Sequence, residues 1–372
     1  MPSLTKRLSV FLPGLYEGGA ERVMLNLSAG MAELGYEVDM ILAQAEGPYM
    51  DQVPSSVRVV ELNTSHYNAF RTTASLPALV RYLRREKPCA ILSGLNANLV
   101  ALLARRLAGR SVRVVISEQN TFSCQNQSLP YCGRVVTERL VKSMYPWADK
   151  IVAVSDGVAD DLARVTAIPR DRIQVIYNPI VTQELLRKLN NPLSDPWFEA
   201  GEPPVILAVG RLTEQKDLGM LIRAFAEVRR TCAARLLILG EGEDRQQLEG
   251  LVRRLSLDRD VRLHGFTPNP YAFMARAALF VLSSRWEGLP TVLVEALACG
   301  TPVVSTDCPS GPREILRNGQ YGTLVPVGDE ASMARAIERS LNQKLSRPPR
   351  ESWQPYTLES TINQYLTALL GN

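Results

Sequence analysis

The feature that most constrains this chain is a rhythm. Short apolar runs of strand length alternate with segments of helical period from one end to the other, with a single interruption near the middle. In the first half the strand-like runs are 7–12 (RLSVFL), 37–43 (EVDMILA), 57–62 (VRVVEL), 90–94 (AILSG), 112–118 (VRVVISE), 150–155 (KIVAVS) and 173–178 (IQVIYN). Helical patterns fall between them at about 20–34, 73–86, 97–108, 131–145 and 156–165. The stretch 190–204, NNPLSDPWFEAGEPP, has four prolines and no periodicity, and reads as a linker. The rhythm then restarts with 205–210 (VILAVG), 235–239 (RLLIL), 261–264 (VRLH), 278–283 (ALFVLS), 302–306 (PVVST) and 323–326 (TLVP). Alternating βα units imply an α/β protein whose parallel sheets are covered by helices on both faces. The pattern predicts two doubly wound, Rossmann-like domains with a cleft between their carboxyl edges, where open α/β folds bind ligands. The expected boundaries are 1–185, a linker at 186–204, 205–350, and a C-terminal helix at 351–372 packing back towards the first domain.

Bulk properties narrow the class. A chain of 372 residues exceeds one ordinary core, and 46% apolar with 22% charged residues describes a globular protein. No apolar run reaches the roughly 18 residues of a membrane span, and the N-terminal MPSLTKR has no signal-peptide apolar region, so a cytoplasmic location is expected. The cysteines (Cys89, Cys124, Cys132, Cys232, Cys299, Cys308) show no CxxC or zinc-like spacing and read as reduced thiols. With only His66 and His264 present, a histidine-rich metal site is excluded.

Three loops carry candidate chemistry. The first turn, PGLYEGGAER (13–22), follows a strand and opens a helix; Gly18 and Gly19 would let backbone N–H groups approach an anion. The loop alone is equally compatible with a glycine turn that merely starts the helix. It is not GxGxxG, and no acidic residue follows the second strand at the ribose-binding offset, which argues against a nicotinamide site. In the second half, VGRLTEQKDL (209–218) ends a strand at Gly210 and then supplies Arg211 and Lys216, a planar fork and a point charge suited to a diphosphate. The third, SRWEGLPTVLVEALACG (284–300), sets Glu287 before a Gly-Leu-Pro turn and Glu295 inside an apolar helix. Pro290 suits the first turn of that helix and Gly300 its end, so the amides of Gly288, Leu289 and Thr291 would form an anion site at the helix N-terminus. Glu287 then reaches sugar hydroxyls, and Glu295 sits at the depth of a ribose. A buried carboxylate is costly unless paired, and an ion pair to Arg285 or Arg313 would account for Glu295 by the fold alone.

In combination these motifs resemble family-four glycosyltransferases of GT-B fold. The resemblance spans nearly the whole chain: Gly18-Gly19-Ala20-Glu21-Arg22, YNP at 177–179, Gly210-Arg211-Leu212 with Lys216-Asp217, Gly240-x-Gly242, HGF at 264–266, Glu287-x7-Glu295 and CPSGPREI at 308–315. The run SSRWEGLP with CPSGPREI is similar to the subgroup that builds bacterial surface polysaccharides and lipid-linked oligosaccharides. The resemblance implies a retaining, metal-independent transferase with no cofactor, using a nucleotide sugar, a UDP-hexose or UDP-N-acetylhexosamine, although GDP-sugars occur in the same family. It implies a glycan or polyprenyl-linked acceptor and no nucleic-acid partner. Arg211 and Lys216 would hold the donor diphosphate, Glu295 the ribose, Glu287 the donor sugar and backbone near Phe266 the base, with Asn178 of YNP among the donor contacts. One departure stands out. Where many relatives carry a histidine in an S-E-H-N pattern at the acceptor pocket, this chain has Ser117-Glu118-Gln119-Asn120. Glutamine donates a hydrogen bond but transfers no proton at neutral pH, which suits a front-face mechanism in which the leaving phosphate takes the acceptor's proton. A GT-B-shaped UDP-sugar epimerase and a silent sugar-nucleotide sensor are the alternatives; Glu287-x7-Glu295 argues against the first and Arg211/Lys216/Glu287 against the second.

Charge is uneven. Residues 71–150 hold thirteen basic and four acidic side chains. Helical segments such as 76–87 (LPALVRYLRREK), 99–113 and 131–145 combine an apolar face with basic residues, so a peripheral contact of 71–150 with an anionic inner membrane surface is expected. The plainer explanation is that cations near helix C-termini complement the helix dipole.

Overall fold

The computed structural model describes residues 6–16, 18–62, 71–109, 111–127, 130–343 and 346–371. The chain divides into two compact units, Met1–Pro179 with Thr357–Asn372, and Ile180–Tyr356.

In the first unit every anticipated strand forms: β1 Arg7–Leu12, β2 Glu37–Leu42, β3 Val57–Glu61, β4 Ala90–Gly94, β5 Arg113–Glu118, β6 Lys150–Ala153 and β7 Ile173–Val175. They pair in the order β3-β2-β1-β4-β5-β6-β7, all parallel. Strands buried on both faces read as continuous apolar runs, and Leu8, Val10, Phe11, Leu92 and Ile116 are fully enclosed. The crossover helices include Gly19–Glu33, Leu76–Glu86, Ala97–Ala108, Tyr131–Met144 and Asp156–Thr166. The last starts where Ser155 Oγ accepts from the Val158 amide, the capping chemistry that serines supply.

The unit is completed by the helix Leu358–Leu370, which lies on the helix Gly19–Glu33 and on β4 and β5. Thr357 caps it, Gly30 leaves room for Leu358, and Arg113 Nε donates to the Ala368 carbonyl at 2.9 Å. Residues 350–356 form two short 3₁₀ turns and belong to the second unit, so the helix begins seven residues later than position 351.

The second unit repeats the plan with β8 Val205–Val209, β9 Arg235–Leu239, β10 Val261–Gly265, β11 Leu279–Leu282, β12 Val303–Thr306 and β13 Thr323–Val325. Their order is β10-β9-β8-β11-β12-β13, again parallel throughout. Its core gathers Ile206, Leu221, Phe225, Ile238, Val281 and Ile337.

The proline-rich stretch is no free tether. Trp197 lies between the guanidinium groups of Arg235 and Arg262, at 5.0 and 4.2 Å, and Asp195 pairs with Arg262 at 2.5 Å. Phe198 meets Phe273 edge-on. Lack of periodicity signalled the absence of a regular element, while the aromatic pair supplied the packing. Among the described residues no helix is long and apolar enough to cross a membrane.

Candidate active site

A doubly wound sheet binds ligands where its winding reverses, beyond the carboxyl ends of the two central strands. In the second unit those strands are β8 and β11, and the loops that leave them carry Arg211, Lys216 and Glu287. Backbone bonds clamp the first loop against the loop after β9, Gly210 N to Leu239 O at 3.0 Å and Leu212 N to Glu241 O at 2.8 Å. The approach is close enough to demand glycine at 240, where a Cβ would stand 2.0 Å from the Gly210 carbonyl oxygen and φ is +138°.

Lys216 Nζ lies 2.5 Å from Glu287 Oε1, with side chains 16% and 7% exposed. Ser284 Oγ donates to the same oxygen at 2.6 Å. Further bonds stitch the two loops together: Gln215 Nε2 to the Trp286 carbonyl, Ser283 Oγ to the Lys216 carbonyl, and Arg285 N to the Gln215 carbonyl. An ammonium has three N–H donors, and among the described residues the side-chain acceptor of Lys216 is Glu287. The neighbouring Arg211 side chain is exposed and bonds to none of the described residues.

Glu287 leads through the Gly288-Leu289-Pro290 turn into the helix Thr291–Ala298. Gly288 and Leu289 are buried and Thr291 is half-buried. The CPSGPREI segment is what fixes this turn. Glu287 N donates to Pro309 O at 2.7 Å, Ser310 N to Glu287 O at 3.2 Å, and Ser310 Oγ to Gly288 O at 3.0 Å. At Gly311, φ is +93° and a Cβ would meet Pro290 Cδ at 2.6 Å, so only glycine allows the contact.

Glu295 is buried in the second turn of the helix. Arg285 pairs with Asp217 and Glu214, both at 2.9 Å, and Arg313 with Asp307. Burial, and then Glu295 itself, push the Cys299 thiol up to about 12, so this cysteine stays protonated and inert. Beyond β10, Phe266 is exposed and His264 sits edge-on against Phe273 at 5.4 Å. An exposed guanidinium, a largely buried ammonium paired with one carboxylate, and a helix N-terminus are groups whose chemistry suits an anion.

In the first unit the reversal lies between β1 and β4. The loop after β1 brings Gly18, at the N-cap, and exposed Gly19 to the start of the helix Gly19–Glu33, although Glu17 is outside the described residues. At the end of β5, Gln119 is half-buried; its Nε2 donates to Ser117 Oγ at 2.8 Å and its Oε1 accepts from Asn178 Nδ2 at 2.9 Å. Asn178, expected among the donor contacts, lies in the first unit, buried beside Gln119. The reason is β7, which ends three residues earlier and delivers residue 178 to the carboxyl edge of the first sheet.

Sequence reasoning passed over Glu118. Its carboxylate is buried, accepts from Tyr145 Oη at 2.8 Å, and is pushed up to about 7, mainly by burial, with the phenol's bond opposing and the Asp161 charge adding to the rise. The signal was available: a parallel interior strand is buried along its length, and β5 is enclosed from Val114 to Glu118.

Several basic residues of 71–150 are engaged within the first unit. Arg84 donates to the Leu107 and Ala108 carbonyls at the end of the helix Ala97–Ala108, Arg85 pairs with Glu86, Arg105 with Asp149, and Arg106 stacks on Trp147. For Arg84 the helix-end explanation holds. The helix Tyr131–Met144 exposes Tyr131, Val136 and Leu140 alongside Arg139 and Lys142, the lysine paired with Glu138 at 2.7 Å. His66 and Arg110 lie outside the described residues.

The architecture is that of GT-B glycosyltransferases. Anabaena HepE, solved in complex with UDP and glucose, superposes with a TM-score of 0.78 at 18% identity over 99% of this chain and 100% of that one. Residues 17–184 match the model of Glycosyltransferase Family 4, and 192–359 that of Glycosyl transferases group 1. The chain is 33% identical over 345 residues, 90% of each chain, to the N-acetylgalactosamine-N,N'-diacetylbacillosaminyl-diphospho-undecaprenol 4-alpha-N-acetylgalactosaminyltransferase of Campylobacter jejuni. It is 30% identical over 362 residues, 95% of this chain and 96% of the other, to the lipopolysaccharide core biosynthesis glycosyltransferase LpsE of Rhizobium meliloti. This chain belongs to glycosyltransferase family 4.

Proposed function

We propose that the protein transfers a hexose or N-acetylhexosamine from a UDP-sugar to a hydroxyl of a glycan or polyprenyl-diphosphate-linked acceptor, with retention at the anomeric carbon and without a metal or other cofactor. The observation that carries the reading is the Lys216–Glu287 pair joining the loops after β8 and β11, with Arg211 exposed beside it. Arg211 and the spare N–H groups of Lys216 neutralise the diphosphate, as charge-assisted bonds do for phosphoryl oxygens. The helix N-terminus at Gly288, Leu289 and Thr291 adds its dipole, while Glu295 holds the ribose and backbone at Phe266 meets the base. Glu287, already oriented by Ser284 and Lys216, binds donor-sugar hydroxyls. Gln119 and the Gly18-Gly19 turn serve the acceptor side, and the departing phosphate accepts the acceptor's proton. The relatives' names supply the acceptor class: one acts on a diphospho-undecaprenol-linked sugar and the other in lipopolysaccharide core synthesis. A peripheral membrane contact through the helix Tyr131–Met144 suits such an acceptor.

The test is incubation with UDP-sugars in the presence of EDTA, following UDP release with and without a polyprenyl-diphosphate-linked N-acetylhexosamine and reading the product anomer by NMR. Acceptor-dependent UDP release with retained configuration is expected. A free isomeric UDP-sugar would identify an epimerase, and binding without turnover a sensor. Glu295→Gln should weaken UDP itself, and equal activity of that variant at low donor concentration would remove the ribose assignment.

A further inference from the structure

The amide of Gln119 belongs to a chain of side chains that is otherwise sealed. Its Nε2 donates to Ser117 Oγ, its Oε1 accepts from Asn178 Nδ2, and Asn178 Oδ1 accepts from Tyr365 Oη at 3.5 Å. Ser117 and Tyr365 have no exposed surface and Asn178 has 2%, so Gln119 is the one member with access to a ligand. The Ser117 hydroxyl also lies beside the Tyr365 phenol, opposing the rise that burial gives its pKa.

A primary amide has two N–H donors and two lone pairs. Ser117 and Asn178 occupy one of each on Gln119, leaving one N–H and one lone pair to meet the pocket. The two amides are interlocked: turning Asn178 over would set its oxygen against Gln119 Oε1, so both must turn together or neither. Tyr365 is the anchor at the far end, and it stands on the helix Leu358–Leu370, remote in sequence from the strand it serves. Resting on the reading of Gln119 as an acceptor-side group, we infer that Asn178 and Tyr365 are positioning residues that hold the plane of the Gln119 amide where it meets the acceptor. The C-terminal helix is then part of the acceptor specificity of the first unit as well as of its core. Buried polar chains of this kind set geometry when every member is satisfied.

Two readouts on the full chain test this. In protein labelled with ¹⁵N-glutamine, the Gln119 side-chain signal, identified by its absence in Gln119→Ala, should exchange with solvent at least fivefold faster in Tyr365→Phe. The other glutamine amides and the melting temperature should change little. Asn178→Ala, which removes the donor to Gln119 Oε1, should do the same and serves if the phenylalanine variant folds poorly. Unchanged exchange, or acceleration shared by all glutamines, overturns the clamp. With a polyprenyl-diphosphate-linked N-acetylhexosamine as acceptor, Tyr365→Phe should raise the acceptor KM about fivefold, leave the donor KM unchanged, and add nothing in the Gln119→Ala background. Additive losses overturn the inference. An unchanged acceptor KM in Gln119→Ala itself would overturn the acceptor-side reading of Gln119 and leave the exchange result to decide the clamp.

Discussion

Two buried carboxylates, one in each unit, live in opposite electrostatic conditions. Glu118 is the last residue of β5 and Glu287 lies on the loop after β11, each at the carboxyl edge of a parallel sheet, and each is almost fully buried. Glu287 faces an ammonium at 2.5 Å and a serine hydroxyl at 2.6 Å. Glu118 faces a phenol, with the like charge of Asp161 nearby and, among the described residues, no cation bonded to it. Burial disfavours the charged form of any acid, and an adjacent cation restores it. The pair therefore teaches that depth alone does not define a carboxylate's role. One is bonded to an ammonium and a hydroxyl, the other is an acid that burial pushes up to about 7.

The largest expected departure comes from Glu287→Gln. Losing a preorganised group at the sugar should lower turnover by roughly 10²-fold or more, while UDP affinity measured by calorimetry stays close to wild type. Parallel losses of both would mean that Glu287 holds the nucleotide. For Glu118 the readout is stability. Its folded pKa of about 7 stands above the ordinary 4.5, so the folded state holds the extra proton between those values. Stability from this group is complete below the lower value and is lost as pH rises through the higher one. Glu118→Gln should therefore gain on the order of 3 kcal/mol above pH 7 and nothing near pH 4. Thermal unfolding across that range checks it, and a pH-independent difference would mean the carboxyl is ionised throughout. If Glu118 also shapes the acceptor side, an inflection in rate near pH 7 should survive Gln119→Ala and vanish in Glu118→Gln.

Smaller effects sharpen the contrast between the cation-rich and cation-poor loops. Arg211→Ala should weaken UDP by roughly 1.5–3 kcal/mol, the value of a hydrogen bond to a charged group. Calorimetry showing no change would place the diphosphate elsewhere. Smallest of all, Arg139→Gln with Lys142→Gln should reduce cosedimentation with anionic vesicles by about 1 kcal/mol per charge. The equivalent change at Arg84 and Arg85 should act less on vesicles than on stability, because their side chains hold helix-end carbonyls and Glu86. Equal binding of the double variant and the wild type would dismiss the Tyr131–Met144 face.

How much of this was legible in the sequence follows from what each signal measures. Hydrophobic periodicity reports burial along one element, so the thirteen strands stood within a few residues of their places. Glycine spacing foretold close approach without naming the partner: Gly240 meets Gly210, and Gly311 meets Pro290. Lys216 and Glu287 each stood out in the sequence as candidates for ligand binding, yet their bond to one another was not legible, since it joins loops 71 residues apart. The bond between Asn178 and Gln119 was hidden for the same reason, since it joins residues 59 positions apart. Glu118 was overlooked because its neighbour Gln119 drew the comparison with relatives, although strand burial already marked the carboxyl as a costly one.

The first unit is discontinuous in the chain, since Tyr365 and Leu369, both enclosed, reach it only after residues 180–356 have been made. At translation rates of about 5–20 residues per second, the nascent unit waits roughly 10–35 s for the helix that covers β4 and β5. Over that interval an apolar trough on the sheet stays open at the ribosome, ready to bind a chaperone or a neighbouring nascent chain. The maturation of this protein is thus timed by the synthesis of its other half, and a messenger that slows translation between the two would lengthen the exposure in proportion.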